Sequence, residues 1–244
     1  MKNVKLTIEY DGSNYHGWQY QSNVSSIQEE IEKALRKVTG EYIDIFGSGR
    51  TDAGVHATGQ VANFYTTCQL PSERFKYALN MRLPRDIIIV DSEEVELDFH
   101  SRFSAKRKEY KYIIYNNEMP SAINRNYSYH IINKLNIDEM KMASEYLIGT
   151  HDFASFMTKG TIVKDTIRTI YSIDIIKNDK FIEVIIEGSS FLRSMIRIIV
   201  GTLVLIGNGK LKKEALSNII LGKKRCLSGP TAPAQGLYLQ KVYY

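Results

Sequence analysis

Apolar residues occupy alternate positions at Val4, Leu6, Ile8 and Tyr10, which predicts a strand with one buried face delivering Asp11-Gly12 to a turn. The period then changes. Ile27, Ile31, Ala34, Leu35 and Val38 recur at helical spacing, Ser26 with Glu29 forms a capping box ahead of them, and Gly40 ends the run. Glu41 to Phe46 predicts a strand leading into a glycine-punctuated loop. Val61 to Tyr65 continues as strand, Pro71 to Met81 suits a helix, and Asp86 to Val95 suits another strand. From Lys108 to Tyr115 alternation returns, with Tyr110 and Tyr112 on one face and Lys111 and Ile113 on the other. Asn136 caps a helix running through Tyr146, and Arg168 to Lys177 pairs with Lys180 to Gly188 across an Asn178-Asp179 turn. A very apolar helix containing Met195 opens at Ser189 or Ser190, Leu211 to Leu221 suits a shorter helix, and Leu237 to Tyr243 a last strand.

Strands and helices mix without a repeating βαβ cadence, so the class is α+β. Each half reads as strands with helices packed on one side. The halves divide near Ser104 to Lys108, into residues 1–105 and residues 106–244, with no linker rich in Pro, Gly or Ser and no short repeat between them. A shared sheet is therefore expected.

Composition narrows the field modestly. With 43% apolar and 24% charged residues among 244, the chain is of ordinary globular make-up, and disorder is not expected. Lysine and arginine exceed aspartate and glutamate by 32 − 27 = 5, an excess suited to an anionic partner. Cys68 and Cys226 form no paired motif and no secretory leader is read, so reduced thiols in a cytoplasmic protein are expected. The most apolar run, Ile198 to Ile206, is too short to cross a bilayer and reads as a core helix.

Candidate chemistry gathers in three places. Asp52 stands in Gly47-Ser-Gly-Arg-Thr-Asp-Ala-Gly-Val-His-Ala57, where glycines at 47, 49 and 54 allow sharp turns and a close approach. An aspartate there either bonds local backbone amides or does chemistry. The loop lacks the Gly-Lys-Ser/Thr ending of a P-loop and the spacing of a dinucleotide fingerprint, and no His/Cys/Asp/Glu group has metal-ligand spacing. Arg193 and Arg197 lie four apart in an apolar run, so at least one guanidinium is expected to point inward, toward a carboxylate. A structural ion pair, or a side chain reaching back to solvent, is the alternative. Third, Arg102, Lys106, Arg107, Lys108 and Lys111 interleave with Phe103, Tyr110 and Tyr112, a pattern suited to phosphate contacts and base stacking. Tyr110 taken alone reads as a core aromatic before it reads as a catalytic one. His56 reads as a hydrogen-bonding scaffold residue.

The run Gly49-Arg-Thr-Asp-Ala-Gly-Val-His-Ala57 resembles the signature of the tRNA pseudouridine synthase A family, and the resemblance continues in order along nearly the whole chain. Its segments are Tyr10-Asp-Gly-Ser-Asn-Tyr-His-Gly-Trp-Gln19, Phe99-His-Ser-Arg-Phe-Ser-Ala105, Lys108-Glu-Tyr-Lys-Tyr-Ile-Ile-Tyr115 and Asp152-Phe-Ala-Ser-Phe156, the last just after Gly149. Arg168-Thr-Ile170, Phe191-Leu-Arg-Ser-Met-Ile-Arg-Ile-Ile-Val-Gly201 and Ala232-Pro-Ala-Gln-Gly-Leu-Tyr-Leu239 complete it. Tyr20 departs from the pattern, since many relatives carry a basic residue after Gly-Trp-Gln, which leaves a phosphate contact of that loop open.

The resemblance implies two related α/β subdomains sharing a continuous, largely antiparallel sheet with a central active-site cleft. It implies conversion of uridine to pseudouridine at positions 38, 39 and 40 of the tRNA anticodon stem-loop, without cofactor or metal, by a homodimer. On the same ground Asp52 is the nucleophile, Arg197 its ionic partner, Tyr110 the ring that stacks on the target base, and Arg50 the residue that holds the displaced nucleotide. A non-catalytic RNA-binding protein is the alternative class, and intact Asp52, Tyr110 and Arg197 argue against it. A synthase that has drifted to another RNA target is the other.

Overall fold

The structure is a computed structural model that describes all residues except Lys159, Thr161, Ile162 and Lys164. In chain order the first elements are strand β1 (Lys2–Tyr10), helix α1 (Ile27–Thr39), β2 (Phe46–Gly47), β3 (His56–Thr66), α2 (Phe75–Asn80) and β4 (Ile87–Val95). They are followed by β5 (Arg107–Asn116), β6 (Tyr129–Ile131), α3 (Ile137–Ser144), β7 (Gly149–Asp152), β8 (Ile167–Asn178) and β9 (Phe181–Gly188). The last are α4 (Met195–Gly207), α5 (Ala215–Gly222) and β10 (Leu237–Tyr243). The chain divides into two compact units, Met1–Lys106 with Tyr238–Tyr244, and Arg107–Leu237. The C-terminal strand thus sits in the first unit and not with the half that precedes it in sequence.

In the first unit β1 runs antiparallel to both β3 and β4, β2 pairs antiparallel with β3, and β10 joins β3 in parallel, Tyr238 opposite His56. Alternation along β1 sends Val4, Leu6 and Ile8 to one face, all fully buried. Phe64 of β3 shares this core and meets Phe75 of α2 edge to face at 5.3 Å. The opposite face is closed by polar groups instead. Buried Asn3 donates to the carbonyls of Glu96 and Phe99 at 2.9 and 2.8 Å, and buried Asn63 donates to Asn3 at 2.9 Å. Each amide leaving water there finds a partner, which offsets a cost of about 1–3 kcal/mol per unpaired group.

Helix α1 forms as its sequence predicts. Ser26 is extended and its Oγ accepts the Glu29 N–H at 3.3 Å, while Gly40 closes the other end at φ 77°. Ile27, Ile31, Ala34 and Leu35 make its buried stripe. The segment before β2 departs from expectation, because only Phe46–Gly47 of the predicted Glu41–Phe46 strand pairs with β3. Ile43 and Ile45 are still buried alternately, yet the Ile45 N–H donates to Glu32 Oε1 on α1 at 3.2 Å and not to a strand. Pro71 to Met81 is a short 3-10 turn followed by α2.

The second unit builds an antiparallel run in the order β5, β9, β8, β7, with β6 added in parallel to β5. The β8–β9 hairpin turns at Asp179, whose φ of 50° is the left-handed conformation that Asp tolerates. Asn136 caps α3 by accepting the Glu139 N–H at 3.2 Å. Together the elements are α+β with largely antiparallel pairing, as the sequence predicts. Among the described residues no helix is long and apolar enough to cross a membrane.

Candidate active site

The loop between β2 and β3 is held at its entrance by one amide. Gln60, fully buried, accepts the Ser48 hydroxyl at 2.6 Å and its own neighbour's N–H, that of Val61, at 3.1 Å. Its Nε2 donates to the Gly49 carbonyl at 3.0 Å. The loop is then clamped to the segment after β1: the Trp18 N–H donates to Thr51 O at 3.2 Å, and the Gly54 N–H donates to Tyr15 O at 3.3 Å. The Thr51 hydroxyl bonds that of Tyr10 at 2.8 Å.

This places Asp52 at the first position of a turn closed by the Val55 N–H to Asp52 O bond at 3.2 Å. Gly54, third in that turn, has φ 75°, the value a type II turn demands of glycine. The opposing strand of chain needs glycine as well: Gly17 has φ 93°, and a Cβ there would sit 2.4 Å from Thr51 O. Asp52 itself is half-buried between buried Thr51 and exposed Ala53. The result is a carboxylate on a backbone fixed from both sides. Arg50, two residues earlier, is exposed, with Nε donating to Gln19 Oε1 at 2.9 Å.

His56 closes the exit of the loop. It is 2% exposed, its Nδ1 lies 3.1 Å from both the Gly12 N–H and Asp11 Oδ1, and its ring stacks on Tyr238 at 4.8 Å. The Asp11–Tyr15 segment is anchored in turn by Asp86, which accepts the Tyr15 hydroxyl at 2.6 Å. Burial first, and the adjacent Asp86 carboxylate second, push the Tyr15 hydroxyl far above its ordinary range, so it stays a donor.

In the second unit, α4 starts later than the sequence predicts. Ser194 adopts the left-handed conformation at φ 59°, so the helix begins at Met195 and not at Ser189 or Ser190. Arg193 is exposed in the preceding turn, outside the helix, and its four-residue relation to Arg197 is not a helical one. Arg197 lies on α4, half-buried. Its Nε donates to Ala232 O at 2.7 Å while its own carbonyl accepts the Ala232 N–H at 3.0 Å. The next residue, Pro233, accepts the Tyr112 hydroxyl at 2.8 Å. Burial pushes that phenol far up its range, and the Arg197 charge opposes the shift. Arg197 and Tyr112 thus share one neighbourhood, which Tyr112's position on β5 gave no reason to expect.

Tyr110 is 8% exposed, opposite Ile186 in register, with its ring edge-on to Phe191 at 5.3 Å. The basic residues of the Arg102–Lys111 segment divide by partner. Arg107 pairs with Glu187 at 2.9 Å, Lys111 lies 3.7 Å from Glu183, and Lys108 is half-buried. Arg102 and Lys106, in the first unit, are exposed, the former with its guanidinium 5.7 Å from the Phe103 ring. Gln60 carries no motif of its own, and Gln19 closes the Tyr10–Gln19 segment without a role read for it. A place directly before the apolar Val61–Tyr65 run was the one signal available for Gln60, since an amide carried into a core with such a run must be hydrogen-bonded.

Comparison with known proteins agrees with the resemblance. A family model described as tRNA pseudouridine synthase matches residues 6–104 and 143–244. The chain is 50% identical over 244 residues to tRNA pseudouridine synthase A of Acetivibrio thermocellus, with 100% of both chains covered. To the protein of that name from Thermoanaerobacter sp. strain X514 it is 52% identical, again over 100% of both chains. To that of Ruminiclostridium cellulolyticum it is 50% identical over 245 aligned positions, with 100% of both chains covered.

Proposed function

The chain belongs to the tRNA pseudouridine synthase family and isomerises uridine to pseudouridine in tRNA, and from that premise we propose its target, its nucleophile and its assembly. The targets are uridines at positions 38, 39 and 40 of the anticodon stem-loop. Asp52 is the nucleophile, Arg197 its ionic partner, and Arg50 and Tyr110 hold the displaced nucleotide. The enzyme works as a cytoplasmic homodimer with the tRNA spanning both subunits.

The reaction is a transfer within one nucleotide. The N1–C1′ bond breaks, C1′ bonds to C5, the C5 proton leaves to water, and N1 gains a proton. Attack at C1′ or at C6 alike needs an ionised carboxylate and a base out of the stack, because a stacked uridine shields both carbons. The observation that carries the reading is the turn at Asp52, where a half-buried carboxylate stands on backbone clamped at Thr51 and Gly54. A loop tied down this way presents its side chain without a large ordering cost at the moment of reaction. Exposed Arg102 and Lys106 are better placed to neutralise phosphates than Arg107 and Lys111, which face glutamates, with half-buried Lys108 between the two groups.

Mapping pseudouridine in total RNA from cells with and without this chain tests the target. Loss confined to positions 38, 39 and 40, restored by the wild-type chain, is the expected result. Loss in another RNA would mean a drifted target. No loss anywhere, with tRNA still bound, would favour the non-catalytic RNA-binding reading.

A further inference from the structure

A line of four side chains in the first unit ends at Arg50. Gln28 and Glu32 stand one turn apart on α1, and Gln28 Nε2 donates to Glu32 Oε1 at 2.8 Å. The same carboxyl oxygen accepts the Ile45 N–H at 3.2 Å. Gln28 Oε1 accepts from Gln19 Nε2 at 2.9 Å and from the Tyr20 N–H at 3.2 Å. Gln19 Oε1 in turn accepts Arg50 Nε at 2.9 Å.

The polarity of this line is set from its ends. Arginine has donors only, so Gln19 must turn its oxygen to Arg50 and its amino group to Gln28. Gln28 repeats the arrangement, and its amino group then needs an acceptor, which Glu32 supplies. Flipping either amide would leave like groups facing each other. Burial pushes the Glu32 carboxyl above its ordinary range, and the bonds from Gln28 and Ile45 oppose that shift. Anchoring Nε fixes the plane of the Arg50 guanidinium, and an exposed arginine otherwise keeps its rotamer entropy to lose on binding.

We propose that Glu32, Gln28 and Gln19 form a positioning relay that orients Arg50 for the nucleotide displaced beside Asp52. The inference rests on the reading that Arg50 holds that nucleotide. None of the three relay residues needs to touch RNA. They act through one guanidinium, and this separates the relay from ordinary packing of a loop on a helix.

A double-mutant cycle on the full-length protein tests it, with turnover read as tritium released from a tRNA transcript carrying uridine tritiated at C5. Gln28→Met is nearly isosteric and removes both hydrogen-bonding ends. It should lower kcat about tenfold and move KM less than about twofold, the signature of a misaimed group. In an Arg50→Met background the same change should cost less than about twofold, because the guanidinium it aims is gone. Glu32→Gln retains the acceptor oxygen and should stay within about twofold of wild type, whereas Glu32→Met should match Gln28→Met. Should Gln28→Met fail to fold, Gln19→Met carries the same cycle. Multiplicative effects of the Gln28 and Arg50 changes would overturn the relay while leaving Arg50 in the site. An Arg50→Met enzyme with wild-type turnover would overturn the reading beneath it as well.

Discussion

The loop from Ser48 to Val55 and the helix α4 solve opposite problems. Helix α4 is apolar nearly throughout, with eleven of its residues buried, and its internal backbone bonds need no help from outside. The loop has no regular structure, so apart from its own Asp52–Val55 turn bond the constraints on it come from elsewhere: Gln60 at its entrance, Trp18 and Tyr15 along its length, and Gly12 against His56 at its exit. Burial makes α4 stable. Cross-bonding makes the loop precise, and precision is what the role proposed for Asp52 needs. Damage to the two regions should therefore differ in kind.

The largest stability effect is expected in the helix. Ile199 is fully buried, and Ile199→Ala should cost about 3 kcal/mol of unfolding free energy in urea titration, with turnover per folded molecule unchanged. Gly17→Ala attacks the loop. A Cβ placed 2.4 Å from Thr51 O, at φ 93°, should cost roughly 2 kcal/mol and also lower kcat about tenfold, because the backbone that must shift is the one carrying Asp52. If both variants lost stability and turnover in the same proportion, the distinction between the regions would fail.

Smaller changes sharpen the contrast from outside both regions. Ser26→Ala removes the cap of α1 and should cost about 1 kcal/mol in the same titration, leaving kcat unchanged. Arg107→Gln breaks its pair with Glu187, worth about 0.5 kcal/mol or less at the surface. Since that arginine already faces a carboxylate, the salt dependence of tRNA binding, measured by filter retention, should fall by less than for Arg102→Gln.

Elements whose rules are local were legible in the sequence. Ser26, Glu29, the apolar stripe and Gly40 defined α1 at both ends, and alternation defined β1, β5 and the β8–β9 hairpin. Elements governed by distant partners were not. The Ile45 N–H is taken by a helix side chain, so a well-patterned strand is shortened to two residues. Ser194 adopts a left-handed conformation that a sequence disfavours for any residue but glycine, asparagine or aspartate, and so the start of α4 and the place of Arg193 were misjudged. The parallel return of β10 beside β3 depends on the whole chain between them. At the site the same split holds. Asp52 stood out because glycines frame it and Arg50 through the family resemblance, whereas Gln60, Gln19 and Gln28 matter only through partners 9 to 31 residues away.

The central claim is that the Asp52 carboxylate is the nucleophile that the clamped loop exists to present. The most direct test compares Asp52→Asn with the wild-type chain in two assays on one tRNA transcript, tritium release from C5-labelled uridine and equilibrium binding. An amide of nearly the same shape should leave Kd within about threefold and reduce turnover by at least about 10³-fold. Turnover within about tenfold of wild type, with binding intact, would contradict the account.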